Sequence, residues 1–373
     1  MPSFPLLRAE VSRVLEPFEQ AVSLPGAAYF DDAVFALERT AIFDRSWQCV
    51  GRDDDVGQPG EWLASAFQGE DLIVMRGADL VLRAFYNVCR HRAATLLDGP
   101  CGRSQEIRCP YHGWTYELSG ALREAPGARD DLDRAASGLS QVRLQSWQGF
   151  VFATADETLP ELGTYVADAP IWLRESPLAL ARRAHASAYD VAANWKLLVE
   201  NFQESDHFTR IHPALERLTP NGAARSVLSS GPWLGGTMTF AEGVETVSET
   251  GKRDGRPFIA APAYRHQVSD AVLFPTLLTS LQPDYLLTYR LYPKTPGLTH
   301  VVAEIFLHPA AFTPSFEASE LATFWGVVNA QDRAICERQQ MGVRSRGYRA
   351  SRYSTVEDGV HAFDTRVARA YLA

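Results

Sequence analysis

Four residues between positions 89 and 112 are of types that bind metal. Cys89 and His91 stand in NVCRHR, Cys109 and His112 in CPYHGW, with seventeen residues between the two halves. Each half puts one thiol and one imidazole on a short loop. A set of two cysteines and two histidines can hold a single zinc or a two-iron, two-sulfide cluster. A zinc finger pairs Cys with Cys and His with His, the second pair on a helix. Here each half mixes the two types, and both halves lie among strand and turn residues. That suits a cluster in which one iron takes two thiolates and the other two imidazoles. Gly113 follows the last candidate ligand, and its missing side chain predicts a backbone that comes close to the cluster and donates to its sulfides.

A second set lies in NWKLLVENFQESDHFTRIHPAL. The pattern predicts one helix over 194–208, started by Asn194 and ended near Pro213. Glu200, Asn201, Glu204 and His207 recur at spacings of three and four and so share a face. His212 is about 140° further round an ideal helix. The two imidazoles meet one metal only if the backbone bends between them, and Pro213 disfavours helical geometry at His212. Two neutral imidazoles suit Fe(II), and a carboxylate would complete a ligand face that leaves positions open for O2.

These residues need a frame. Residues 27–48 predict one helix, capped by Asp31 or Asp32, with Phe35, Leu37, Ile42 and Phe43 on its apolar stripe. From about Cys49 to Phe152 the runs EWLASAF, DLIVMRG and LVLRAFYNV alternate with Gly, Asp and Pro, and predict strands joined by turns. Between about 225 and 308 the strand candidates are TMTFAEGVETVS, AVLFPTLLTSL, and the pair YLLTYRLYP and HVVAEIFLHP joined through TPGLT. The segment SFEASELATFWGVVNAQDRAICERQQMG predicts a long helix over 315–342. The order gives an α+β chain: a helical segment over 1–45, an all-β domain over 46–155 inserted after it, and an α+β domain over 156–373.

Composition narrows the function. The 373 residues are 46% hydrophobic and 22% charged, which are globular values. The net charge, 36 − 45 = −9, argues against a nucleic-acid binder, which needs a basic face. No apolar run reaches the length of a membrane span, and the opening residues predict no secretion signal. Five scattered cysteines do not form a disulfide framework, so a reducing cytoplasm is the expected location. Cys336 is expected to pack against the site wall and Cys49 to sit in a buried strand. There is no G-x-G-x-x-G after a strand. The chain therefore shows no dinucleotide-binding fingerprint of its own.

The CPYHGW half resembles the Rieske iron–sulfur domain, whose second half is typically Cys-Pro-x-His-Gly. Tyr111 stands where respiratory Rieske proteins carry an additional disulfide cysteine, so the form resembles a Rieske non-heme iron oxygenase, that is, the terminal alpha subunit of the aromatic-ring-hydroxylating dioxygenase family. That family carries Asn-x2–3-Asp/Glu-x2-His-x4-His, matched here by Asn201, Glu204, His207 and His212. The resemblance implies that Cys89, His91, Cys109 and His112 hold a [2Fe–2S] cluster and that His207 and His212 ligate a mononuclear iron. The third ligand would come from a Glu/Gln-Asp pair on the C-terminal helix, matched by Gln331-Asp332; Glu337 is the rival. Asn201 would act from behind the ligands. Glu204 would bridge an iron-ligating histidine to the Rieske histidine of a neighbouring subunit in a head-to-tail homotrimer.

The same resemblance implies a Rieske β-sandwich inserted into a helix-grip catalytic domain, with an antiparallel sheet around a long C-terminal helix. Glu in place of the commoner Asp at 204 points to the branch of choline monooxygenase, carnitine oxygenase and glycine-betaine demethylase. The expected reaction is monooxygenation or N-demethylation of a quaternary or tertiary amine with O2 as co-substrate. The alternatives are hydroxylation or cis-dihydroxylation of an aromatic or other scaffold and, more distantly, a Rieske electron carrier or a structural zinc protein. For an ammonium group, Phe202, Phe208, Trp233, Phe240, Phe274 and Tyr285 offer aromatic faces, of which two or three are expected to line the pocket. Glu242 and Glu245 offer charge, though a solvated strand position suits them better.

Overall fold

A computed structural model of the chain describes residues 4–313 and 318–373. The chain divides into two compact units. One is Asp44–Leu162; the other joins the segment up to Phe43 to the segment from Gly163 onward.

The inserted unit is built of strands. β1 (Gln48–Arg52), β2 (Glu61–Phe67), β3 (Glu70–Arg76), β4 (Leu82–Tyr86), β5 (Cys101–Arg103), β9 (Gln141–Trp147) and β10 (Phe150–Thr154) form a seven-stranded antiparallel sheet in the order β1-β10-β9-β4-β3-β2-β5. Short strands β6 (Ile107–Arg108), β7 (Thr115–Tyr116) and β8 (Leu122–Glu124) make a second sheet. Strand β3 shows how the sequence does this. Its residues alternate between faces: Ile73 and Met75 enter a core that also contains Cys89, Cys109, Trp114 and Tyr116, whereas Leu72 and Val74 enter one with Val50, Leu63 and Val151. The first core is the floor on which the two Cys/His loops rest.

The larger unit is a seven-stranded sheet, each strand antiparallel to its neighbours: β11 (Arg182–Val191), β12 (Ala224–Leu228), β13 (Trp233–Thr239), β14 (Gln267–Leu273), β15 (Leu277–Leu281), β16 (Tyr285–Thr295) and β17 (Leu298–Leu307), in the order β11-β17-β16-β15-β14-β13-β12. One long helix, Ser319–Val343, lays Leu321, Phe324, Trp325 and Val328 against Val268, Leu287 and Ile305 of this sheet. The expected order is observed: an all-β unit inserted into the chain of an α+β unit whose antiparallel sheet packs on a long helix.

Several local expectations change. Residues 27–48 are not one helix: Ala27–Phe30 and Asp32–Ala41 are separate, because Asp31 is extended and its side chain accepts from the amides of Ala33 and Val34. Strand β1 already starts at Gln48. The helix expected over 194–208 ends at Phe202. TMTFAEGVETVS is strand only as far as Thr239, and AVLFPTLLTSL is two strands turning at Phe274-Pro275 rather than one. The long helix begins at Ser319; its expected start at 315 lies outside the described residues.

The helix Trp195–Phe202 is fixed from below by buried charge. Glu38 is fully buried and accepts hydrogen bonds from Lys196, from Trp195 Nε1 at 2.8 Å and from the Tyr371 hydroxyl. A buried pair of this kind stands only when every polar atom is satisfied. It ties the helix Asp32–Ala41 and the C-terminal helix Asp358–Leu372 to the segment that leads into the second site.

Candidate metal centres

The first site sits on two tight loops. The loop after β4 closes through Cys89 N to Ala94 O at 2.8 Å, and the loop after β6 through Cys109 N to Trp114 O at 2.7 Å. Cys89 and Cys109 are each 3% exposed, whereas His91 and His112 are exposed. The two imidazole rings face each other with centroids 4.7 Å apart, and His91 stacks on Trp114 at 4.8 Å. Thiols lie on the inner side and imidazoles on the outer side. Burial alone would raise the Cys89 thiol, but hydrogen bonds from the Tyr116 hydroxyl, 3.3 Å from Sγ, and from the His91 amide bring it below its usual value. Gly113 has φ +72°, which favours glycine, but its amide bonds to Cys109 O at 3.1 Å. That bond turns the loop directly after His112.

The second site is assembled from three stretches of chain. After Phe202 the backbone leaves the helix, so Glu204 and His207 do not share a helical face with Glu200, which turns instead to the Tyr29 hydroxyl at 2.9 Å. One helical turn, Phe208–Ile211, follows His207. His212 then adopts φ −123°, ψ 66° immediately before Pro213, which starts the helix Pro213–Leu218. Proline thus ejects His212 from helical geometry and swings it back toward His207, with ring centroids 5.0 Å apart.

Asp332 comes from the long helix. Its Oδ1 lies 2.8 Å from His212 Nε2 and 3.6 Å from His207 Nε2. Both Nδ1 atoms are engaged elsewhere: His207 donates to Glu204 Oε1 at 2.5 Å and His212 to Gln331 Oε1 at 2.8 Å. That fixes the tautomers and leaves each Nε2 facing Asp332, the arrangement a metal ion needs. Burial alone would lower His207, but its bonds to Asp332 and Glu204 push it up to about 9. A cation at this point would replace that proton. The rival Glu337 is engaged by Arg333 at 2.9 Å and by the Ala192 amide at 3.1 Å.

Among the described residues, His207, His212 and Asp332 are the one group of three or more His, Cys, Asp or Glu whose ligand atoms all lie within 4.8 Å of one another. The Cys89, His91, Cys109 and His112 set puts two buried thiols on one side and two exposed imidazoles on the other, the division that a cluster with one iron on sulfur and one on nitrogen calls for. The residues present therefore fit two different iron groups.

The family profile of the ring hydroxylating alpha subunit (catalytic domain) matches residues 178–373, and that of the Rieske [2Fe-2S] domain matches residues 46–147. The chain belongs to the ring-hydroxylating alpha-subunit family. It is a Rieske oxygenase, with a Rieske cluster and a mononuclear iron as cofactors, O2 as co-substrate, and electrons drawn from a reductase. It is 26% identical over 390 residues to the glycine betaine monooxygenase oxygenase subunit of Pseudomonas aeruginosa, covering 95% of this chain and 90% of the relative. It is 29% identical over 343 residues to the carnitine monooxygenase oxygenase subunit of Acinetobacter pittii, covering 88% and 87%. A solved structure of a quaternary ammonium Rieske monooxygenase superposes with a TM-score of 0.85 at 24% identity, covering 97% of this chain and 98% of that one.

In this alpha subunit the triad forms part of the wall of a cavity of about 570 Å³. Of the six aromatic candidates, of which two or three were expected to line it, Phe202 and Phe208 do. Trp233 is buried in β13, and Phe274 packs edge-on against Trp195. Tyr285 is fully buried and donates to Val247 O at 2.6 Å. Phe240 packs beside the adjoining core. Glu242 and Glu245 are exposed. Asn201 lines the cavity, but the side chain that orients His212 is Gln331. Cys336 is buried in the wall and Cys49 in β1, as expected.

Sequence reasoning missed Tyr189, Tyr289, Trp325 and Asp270 as lining residues. Tyr189 and Asp270 face the cavity through strand alternation alone, a signal that exists only once the sheet order is known. No helix of the described residues is long and apolar enough to cross a membrane.

Proposed function

We propose that this chain is the terminal oxygenase for a quaternary or tertiary amine and removes an N-methyl group. The observation that carries the reading is the pairing of the His207, His212 and Asp332 triad with a cavity walled by Tyr189, Phe202, Phe208, Tyr289 and Trp325 and holding the carboxyl of Asp270. Aromatic faces and one negative group are what a cation without N–H donors needs. The named activities of the glycine betaine and carnitine relatives support it. The reaction balances as trimethylammonium, O2, two electrons and two protons giving the dimethylamine, formaldehyde, water and one proton.

In this reading Cys89, Cys109, His91 and His112 hold the cluster, and His207, His212 and Asp332 hold the iron. The cluster supplies electrons singly and the iron supplies O2 activation. Glu204 orients His207 and, at 16% exposure, carries the connection to His112 of the partner subunit in a homotrimer. Asn201 supports the ligands from the cavity wall. The reductase is a flavin or ferredoxin-type protein drawing on NAD(P)H, and the location is the cytoplasm.

The test is a single turnover. Protein reduced without air is mixed with a methylamine panel that includes glycine betaine and carnitine, O2 is admitted, and formaldehyde is counted against reduced clusters. The proposal predicts formaldehyde in proportion to clusters. Hydroxylated arenes from an aromatic panel, with no formaldehyde from any amine, would replace it.

A further inference from the structure

The cavity contains an acid that neither metal centre uses. Asp270 lies mid-strand in β14, in register with Gly236 of β13 and Ser280 of β15. These three positions share the sheet face that lines the cavity. Asp270 Oδ1 is buried and has no hydrogen-bond partner. The cross-strand partner on one side, Gly236, has no side chain to offer. On the other side Ser280 hydrogen-bonds it, and Gln282 Nε2 donates to Ser280 Oγ at 3.0 Å. Gln282 also lines the cavity, is fully buried, and leaves its Oε1 unpaired.

Each unpaired acceptor costs free energy in the folded state, and the residues that carry these two both line the cavity. The missing partner is one that enters with a ligand. Asp270 Oδ1 and Gln282 Oε1 meet no donor, so both leave negative potential on the cavity wall, which a positively charged ligand offsets even without an N–H. Phe202 and Tyr289, edge to face at 6.2 Å, line the same cavity and offer π faces to such a group.

We infer that Asp270, seated by Ser280 and Gln282, is the counter-ion for the substrate's ammonium group and sets the preference of this cavity for cationic over neutral molecules. The inference rests on the amine reading above. Burial pushes the free Asp270 carboxyl up to about 7, and an arriving cation would hold it ionised.

The test compares ligands of one shape and two charges. Holo-oxygenase, without air or reductase, is titrated calorimetrically with glycine betaine, with choline, and with the carbon isostere of each, in which a tert-butyl group replaces the trimethylammonium. The wild type is expected to bind the better cation at least about tenfold more tightly than its isostere. Asp270→Asn keeps the shape and loses the charge; it should erase most of that preference, change isostere binding by less than about twofold, and leave both iron spectra unaltered. Ser280→Ala should erase part of it. Equal wild-type affinity for cation and isostere, or a full preference retained in Asp270→Asn, overturns the inference while the amine reading stands. A wild type that binds neither cation, with its irons in place, overturns the amine reading and the inference together.

Discussion

At one metal centre the imidazoles stand at the surface and at the other they are inside. His91 and His112 are exposed above two cysteines that are each 3% exposed, whereas His212 is 1% exposed at the wall of a cavity. The first arrangement gives a redox group a route out through its histidine edge while its sulfur side stays in the core. The second keeps a reactive centre away from bulk water and open only to what the cavity admits. The loops differ in the same way. Each Cys/His loop closes on itself through local backbone bonds, and the triad depends on a broken helix, a proline and a separate long helix coming together.

That contrast can be broken at either end. The largest expected effect is that of Cys109→Ala. It should abolish the cluster spectrum and all reductase-driven turnover, while the other unit, with its separate core, still takes up iron. Loss of both irons would mean that the two sites are not independent.

Next is Glu204→Gln, which preserves shape and removes charge beside His207. Both irons should stay bound, and reductase-driven turnover should fall by about 10–100-fold, the usual range for a residue behind the ligands. Unchanged turnover would leave Glu204 only its hydrogen bonds to the His207 amide and ring.

Asp270 tests whether the cavity gives up stability for binding. Its folded carboxyl sits at about 7 against an ordinary 3.8, because of burial. Between those values the folded protein retains a proton that the unfolded chain has released, so stability falls as pH rises through this window. Asp270→Asn should therefore raise the stability of substrate-free protein by about 1–3 kcal/mol near pH 8 and leave it nearly unchanged near pH 4. Thermal unfolding at the two pH values measures this; a destabilised variant at both would refute it.

The smallest effect sharpens the cluster side. Tyr116→Phe removes the hydroxyl 3.3 Å from Cys89 Sγ. Hydrogen bonds to sulfur help set cluster potentials, so the midpoint should fall by about tens of mV, read by a titration of the visible spectrum. An unmoved midpoint would show that the contact is not kept in the loaded site.

The same contrast explains what could be read from the sequence. Cys-x-His and Cys-x-x-His carry their geometry within a few residues, so the two closed loops of the first site were legible in the sequence. The second site was legible in its ligand types but not in its backbone. Helical periodicity through Glu204 concealed the break after Phe202, and Gln331 gained its contact with His212 across 119 residues. The cavity was least legible. Trp233, Phe274 and Tyr285 are aromatic like Tyr189 and Tyr289, and only the sheet register separates core from lining.

The central claim is that one chain holds two independent iron groups, one of them on His207, His212 and Asp332. Iron analysis and the visible spectrum of Asp332→Ala test it most directly. The account predicts a loss of about one iron from about three per chain, with the cluster spectrum unchanged and formaldehyde release reduced to background. Full iron content in the variant, or disappearance of the cluster along with the mononuclear iron, would contradict it.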